Sequence, residues 1–293
     1  METLRYLQHT LPPLAFELIK LSLGLILLGA IFLPLEKLFP LHPQKTFRRG
    51  FAADLAYYFI SSLAPRLLIV PMSVIALGLH FFYPIALHQW MAGLPLTVRF
   101  GTALIVAEIG FYWGHRCVHH VPYLWRFHAV HHSAEQMDWL VNTRAHPVDM
   151  LFIRLCGYVP LYLLGLAQPM GNQVDMIPIL VTLIGSMWGY FIHANVRWRF
   201  SFFEHLVATP AFHHWHHTND GAQFVNKNYA ALFPWVDILF GSFYLPRFER
   251  PTKYGVNEKL PQNLILQLVK PFAENHSKKE RRQVLPPDRD MPK

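Results

Sequence analysis

Residues 113–133 read WGHRCVHHVPYLWRFHAVHHS and contain six histidines, and TPAFHHWHH at 209–217 contains four more. His115 and His119 are four apart. His128, His131 and His132 follow an i, i+3, i+4 pattern, which His213, His216 and His217 repeat. Residues three and four apart share a helix face, so each set can aim two or three imidazoles at one point. Lone histidines are usually surface residues or hydrogen-bonded core residues, which accounts for His9, His42, His80, His88 and His276. Eight in three helical patterns point to metal ligation. Eight imidazoles exceed the four positions of a tetrahedral zinc site. They suffice for two octahedral-type ions with open positions, and nitrogen donors suit iron, zinc, copper or nickel. Soluble two-iron bundles rely on Glu with Glu-x-x-His, a pattern absent here. Cys117 and Cys156 fit no CxxC metal or redox motif.

The elements that must position these rings read as membrane helices. The chain has 293 residues, 53% hydrophobic and only 15% charged, against roughly 25% charged in soluble domains. Apolar runs cover 14–33, 52–79, 96–113, 148–167 and 174–193, lengths suited to crossing a hydrocarbon core of ~30 Å. The expected fold is all-α: an integral membrane bundle of about four to five transmembrane helices with a histidine-rich cytoplasmic cap. Three regions follow: N-terminal transmembrane helices at 1–95, a catalytic region at 96–250, and a polar, flexible tail at 251–293.

Lys and Arg positions orient the bundle. The 34–51 connection holds four basic residues, 114–147 holds three and the chain after 193 holds fourteen, whereas 80–95 and 168–173 hold none. That alternation gives five crossings with the N-terminus outside. The prolines of 52–79 leave open a hairpin that would reverse the N-terminus, and both histidine bursts stay cytoplasmic either way. The net charge of +8 is then largely a cytoplasmic-face signature, and nucleic-acid binding loses its motive.

HRCVHH, LWRFHAVHHS, HP at 146, FIHAN at 191–195, TPAFHHWHH, NYA and WVDILFGSFY together resemble the fatty acid hydroxylase / sterol desaturase superfamily of membrane oxygenases, its bacterial members in particular. All three of its histidine boxes are met in order, and the resemblance spans roughly 100–245. It implies a non-haem di-iron centre at the cytoplasmic face of a bacterial inner membrane. It further implies O2 as co-substrate and a lipid-like substrate that is hydroxylated or desaturated. Carried over, the boxes give His115 and His119; His128, His131 and His132; and His213, His216 and His217 as iron ligands. His193 matches a further family ligand, and His146 a position that is either ligand or outer partner. His120 and His214 break the strict spacing and read as neighbours facing away, and His205 as an interfacial residue. Zinc binds such sites more tightly than ferrous iron and is expected to replace it in purified samples.

A ligating imidazole normally donates its other N–H to a carboxylate or carbonyl. Glu108, two helical turns before His115, is a candidate for this role, or else a partner for a basic group; Asp149, Asn195, Asp237 and Asp138 are others. Tyr112, Trp113, Trp125, Phe127 and Trp215 read as interfacial aromatics. The chain has no nucleotide-binding glycine fingerprint and no cysteine array for an iron–sulfur cluster. A separate ferredoxin- or cytochrome-type donor with its reductase is therefore expected. Rival readings fit less well: a zinc hydrolase lacks its H-E-x-x-H base, and a transporter or a di-haem cytochrome would place its ligands within the spans.

Overall fold

The computed structural model describes residues 9–64, 67, 69–79, 84–167, 175–258, 260–261 and 263–273. His80, His276, the 168–173 connection and the tail beyond 273 lie outside them. Prolines start many of the helices. A proline at the first helical position has no N–H to leave unpaired and a φ already suited to the helix. Pro13 opens α1 (Pro13–Leu38), Pro122 opens α6 (Pro122–His132), Pro147 opens α7 (Pro147–Leu163) and Pro210 opens α9 (Pro210–His216). Between them lie α2 (Phe51–Leu63), α3 (Ile69–Leu79), α4 (Ile85–Ala92), α5 (Leu96–His120) and α8 (Met176–His193). Two short helices follow, α10 (Trp235–Leu239) and α11 (Leu264–Ala273). Among the described residues there are no strands, only two isolated bridges, Pro40 with Val196 and Thr218 with Tyr254.

Three of the five expected spans are single helices long and apolar enough to cross a membrane: α1, α5 and α8. Their outer faces are apolar, with Leu14, Leu23, Ile26, Leu27, Ile105 and Leu183 among many exposed aliphatic side chains. A surface of that extent is not left to water. The other two stretches differ from expectation. Residues 52–79 are split into α2, which ends at Leu63, and α3, which starts at Ile69, and α7 has 17 residues. Even so, the chain alternates direction. Leu41 N–H donates to the Asn195 carbonyl (3.2 Å), so α1 and α8 end at the same side. The start of α2 meets Arg144, just ahead of α7, through Asp54. The basic connections 34–51 and 114–147 and the segment after 193 are thus gathered at one end of the bundle.

The turn at Val121 places the first two histidine sets side by side. A residue before proline is pushed out of the α region, and Val121 is extended at φ −92°, ψ 112°. It ends α5 and folds α6 back against it. Helices α5 and α7 meet at glycines. A Cβ on Gly110 would lie 2.8 Å from the Gly157 Cα and closer still to the Cys156 carbonyl, so only glycine allows this approach. Part of the expected flexible tail is ordered instead: α11 packs Phe272 on Phe127 of α6, with ring centroids 5.1 Å apart. Its Ile265, Leu266 and Val269 are exposed, an apolar face suited to the membrane surface.

Candidate metal centre

The ends of α5, α6, α8 and α9 bring nine imidazoles into two groups. His115, His119, His128, His132 and His216 form one; His131, His193, His213 and His217 form the other. The groups abut, since His132 and His217 stack with ring centroids 4.4 Å apart. The second and third boxes each feed both groups, because neighbouring members of their HH pairs point to different points, whereas His115 and His119 of the first box both join the five-membered group.

Backbone carbonyls fix the tautomers. The Nδ1 atoms of His115, His131, His193 and His216 face the carbonyl oxygens of Tyr229 (2.7 Å), Arg144 (2.9 Å), Gly189 (2.7 Å) and Lys227 (2.8 Å). A carbonyl only accepts, so each Nδ1 carries the proton and each Nε2 presents a lone pair. Asp149 does the same for His128 Nδ1 (3.0 Å), and the Asn226 side-chain oxygen lies 3.3 Å from His119 Nδ1. The Nε2 atoms nevertheless converge: His115 to His128 at 3.1 Å, and His131 to His193 at 3.3 Å. Two such acceptors cannot hydrogen-bond to each other. Buried lone pairs facing at that distance require a cation between them. A metal–nitrogen bond of ~2.1 Å separates adjacent ligand atoms by roughly 3 Å, so the spacing fits a metal in each group. Nε2 of His119 and of His216 is likewise buried with no protein partner.

Burial also keeps these rings neutral. It pushes His128 and His131 down to about 3, and His132, His213, His216 and His217 well below the usual imidazole value, helped by their crowded neighbours. Neutral imidazole is the form that binds metal.

Two features supply three of the four carbonyls, and the fourth, that of Gly189, lies one turn before His193 in α8 itself. The loop 226–229 delivers three partners at once: Asn226 to His119, Lys227 to His216 and Tyr229 to His115. Asn226 and Asn228 adopt φ of 59°, a left-handed conformation that asparagine tolerates better than most residues. Asp237 holds the same loop by accepting from the Tyr229 and Ala230 amides, both at 2.8 Å. The second feature is a buried ion network. Arg48 donates to Asp138 (2.7 Å) and Asp54 (2.7 Å), and Arg144 donates to the other Asp54 oxygen. It clamps 138–144, whose last carbonyl receives His131.

Not every expected site residue joins the groups. His146 stands apart. Its Nδ1 accepts from the Val148 amide (3.1 Å) and its Nε2 faces the Leu268 carbonyl (3.0 Å), so it caps α7 and ties it to α11. Glu108 touches no imidazole; its carboxylate accepts from the Leu232 (2.7 Å) and Phe233 (3.1 Å) amides. Asn195 bonds the backbone of His42 on both sides of its amide. His120 reaches the Tyr229 hydroxyl (3.0 Å), and His214 lies between the Tyr254 hydroxyl (3.1 Å) and the Ala194 carbonyl (3.1 Å). His205 is exposed and stacks on Phe243, and neither cysteine belongs to a group. Sequence reasoning missed Asn226, Tyr229, Arg48 and Asp54. For Asp54 the signal was present, an acid in an apolar run; the carbonyl acceptors leave none.

Beside both groups lies a cavity of about 520 Å³, reached by His115, His128, His131, His193 and His213 and otherwise walled largely by α5, α7 and α8. It runs from the imidazoles along α5, α7 and α8 as far as Leu104, Tyr158 and Val181.

Residues 100–242 match the fatty acid hydroxylase family model. That stretch is a fatty acid hydroxylase domain. It contains all nine grouped histidines. The chain is 33% identical over 192 residues to ornithine lipid hydroxylase OlsE of Rhizobium tropici, covering 65% of this chain and 55% of that protein. It is 30% identical over 141 residues to alkylglycerol monooxygenase of Danio rerio, covering 48% of this chain and 29% of that protein. Identity to methylsterol monooxygenase 2-2 of Arabidopsis thaliana is 27% over 192 residues, covering 64% of this chain and 66% of that protein. The chain thus spans about half the length of the first of these relatives and less of the second. No solved structure matches it. The matched stretch takes in most of α5 and all of α8, α1 precedes it, and with these three apolar helices the chain is an integral membrane protein.

Proposed function

We propose that this protein is a membrane-bound, O2-dependent oxygenase that hydroxylates a lipid at a di-iron centre held by the nine grouped histidines. The facing Nε2 lone pairs of His115 with His128 and of His131 with His193 carry this reading, because they call for a cation in each group. The names of the relatives, lipid hydroxylase and two monooxygenases, supply the reaction class. Five and four nitrogen donors leave open coordination positions on octahedral-type ions. A bound iron pair supplies activation of O2 for insertion of oxygen into an unactivated C–H bond.

The protein's own residues orient and exclude. Tyr229, Arg144, Gly189 and Lys227 carbonyls and the Asp149 carboxylate hold the rings with Nε2 directed inward. The cavity lets an alkyl chain lie within the bundle while one of its carbons reaches the imidazoles, and its apolar walls (Leu104, Phe111, Ile153, Val181) exclude water. Desaturation by the same centre would need a second hydrogen abstraction; the hydroxylase and monooxygenase relatives favour hydroxylation. Electrons come from a separate soluble donor of ferredoxin or cytochrome type with its reductase. The basic connections gathered at the histidine end support a cytoplasmic placement in a bacterial inner membrane, where an acidic donor would be steered to them.

One experiment tests reaction and orientation together. Membrane vesicles containing the protein are given ¹⁸O2 and a reduced ferredoxin-type donor from outside. Inside-out vesicles, which expose the cytoplasmic face, should yield a lipid heavier by one ¹⁸O atom, and right-side-out vesicles should not. Label in right-side-out vesicles alone would reverse the orientation. A lipid lighter by two hydrogens and free of label would replace hydroxylation by desaturation.

A further inference from the structure

The cavity holds a charge that the proposed reaction does not use. Arg154 lies in α7 and lines the cavity with Met150 and Tyr158, residues one helical turn to either side that share its face. Its guanidinium makes no hydrogen bond or ion pair with any described residue, although the side chain is half-buried. Several other polar groups of the wall are engaged, although one carboxylate oxygen of Asp149 is buried without a partner. Glu108 is held by the Leu232 and Phe233 amides, Asp149 by His128, and Tyr58 donates to the Leu21 carbonyl (2.8 Å). Tyr158 and Thr182 bond one another, and Ser61 donates to the Thr143 carbonyl.

A cation within a membrane helix is costly and is kept where it has a partner or a function. Among the described residues the fully buried arginines, Arg48 and Arg144, are paired with Asp54 and Asp138, whereas Arg154 lines the cavity unpaired; Arg99 of α5 also has an unpartnered Nε but does not line the cavity. No described residue pairs with it, and the cavity it lines gives a ligand access to it. A guanidinium presents five N–H donors in a planar fork that fits carboxylate and phosphate oxygens. Five residues separate Arg154 from Asp149, the partner of His128, a rise of about 7.5 Å along the helix. An anion bound at Arg154 thus sits within a few carbon–carbon bonds' reach of the imidazole end of the same cavity.

We propose that Arg154 binds an anionic group of the substrate, a carboxylate or a phosphate, so that the cavity selects acidic lipids and presents a carbon at a set distance from that group to the metal centre. The second clause rests on the oxygenase reading; the selection of an anion does not. The test uses the full-length protein in phosphatidylcholine nanodiscs, with radiolabelled stearate, octadecyl phosphate and octadecanol as probes. The wild type should bind at least one of the two anions about 10- to 100-fold more tightly than the alcohol, and the tighter anion tells carboxylate from phosphate. Arg154→Gln should lose that preference while keeping its octadecanol affinity and its metal content, and Arg154→Lys should retain part of it. Equal affinity of wild type and Arg154→Gln for both anions overturns the assignment. Should Arg154→Gln fail to fold, the wild-type ratio decides alone, and a preference below about threefold overturns it. A wild type that selects anions but holds no metal would refute the oxygenase reading and leave the role of Arg154 standing.

Discussion

The His216→Ala protein should purify with about half the metal of the wild type and lose more than about 100-fold of its O2-dependent lipid oxidation. His131→Ala should do the same from the other side. His216 belongs to the five-membered group and His131 to the four-membered one, so each substitution removes a donor from a different ion. Even outer partners of metal ligands cost 10–100-fold when removed, and loss of a ligand itself should exceed that. The two variants should differ spectroscopically, each retaining the ion the other has lost. His9→Ala and His205→Ala, at exposed positions outside both groups, should match the wild type. Metal analysis of the four purified proteins checks this, and equal content in all four would contradict the grouping.

Replacing Asp54 by alanine should lower the thermal midpoint in detergent by roughly 6–20 °C. This carboxylate is completely buried and accepts from both Arg48 and Arg144. Removing one partner of a buried ion pair leaves an uncompensated charge and costs about 3–5 kcal/mol. For a chain of this size each kcal/mol shifts the midpoint by about 2–4 °C. The loss should extend to the site, since Arg144 is also the residue whose carbonyl receives His131 Nδ1. Metal should therefore leave the His131 group before the His216 group as the variant is warmed. Asp54→Asn, which keeps the shape and one acceptor, should fall between. A midpoint unchanged in Asp54→Ala would show that the network neither holds 138–144 nor positions His131.

What could be read from the residues alone divides along a physical line. Imidazoles at i, i+3 and i+4 are visible because helical periodicity converts spacing into direction, and the eight so spaced all fall within the two groups. His193 lies outside any such pattern and came only through family resemblance. How the boxes are shared between groups was not legible: adjacent histidines of one helix diverge by about 100°, and only packing shows which neighbour each then meets. The acceptors that set the tautomers are mainly backbone carbonyls, which every residue has, so no side chain marks them. His146 and Glu108 fall outside the two groups for a related reason. A histidine before proline can cap a helix, and an acid in an apolar helix can hold loop amides, as readily as either can serve a metal. The split of 52–79 was signalled by its prolines, whereas the burial of Asp54 against Arg144, from a distant segment, needed the fold.

The claim that two ions sit in two all-nitrogen groups is tested most directly by metal quantification with X-ray absorption on the wild-type protein. About two ions per chain, iron or zinc, each surrounded by nitrogen and oxygen at ~2.0–2.2 Å and with no sulfur in the first shell, is the predicted result. A single ion per chain, or a shell containing sulfur from Cys117 or Cys156, would contradict it.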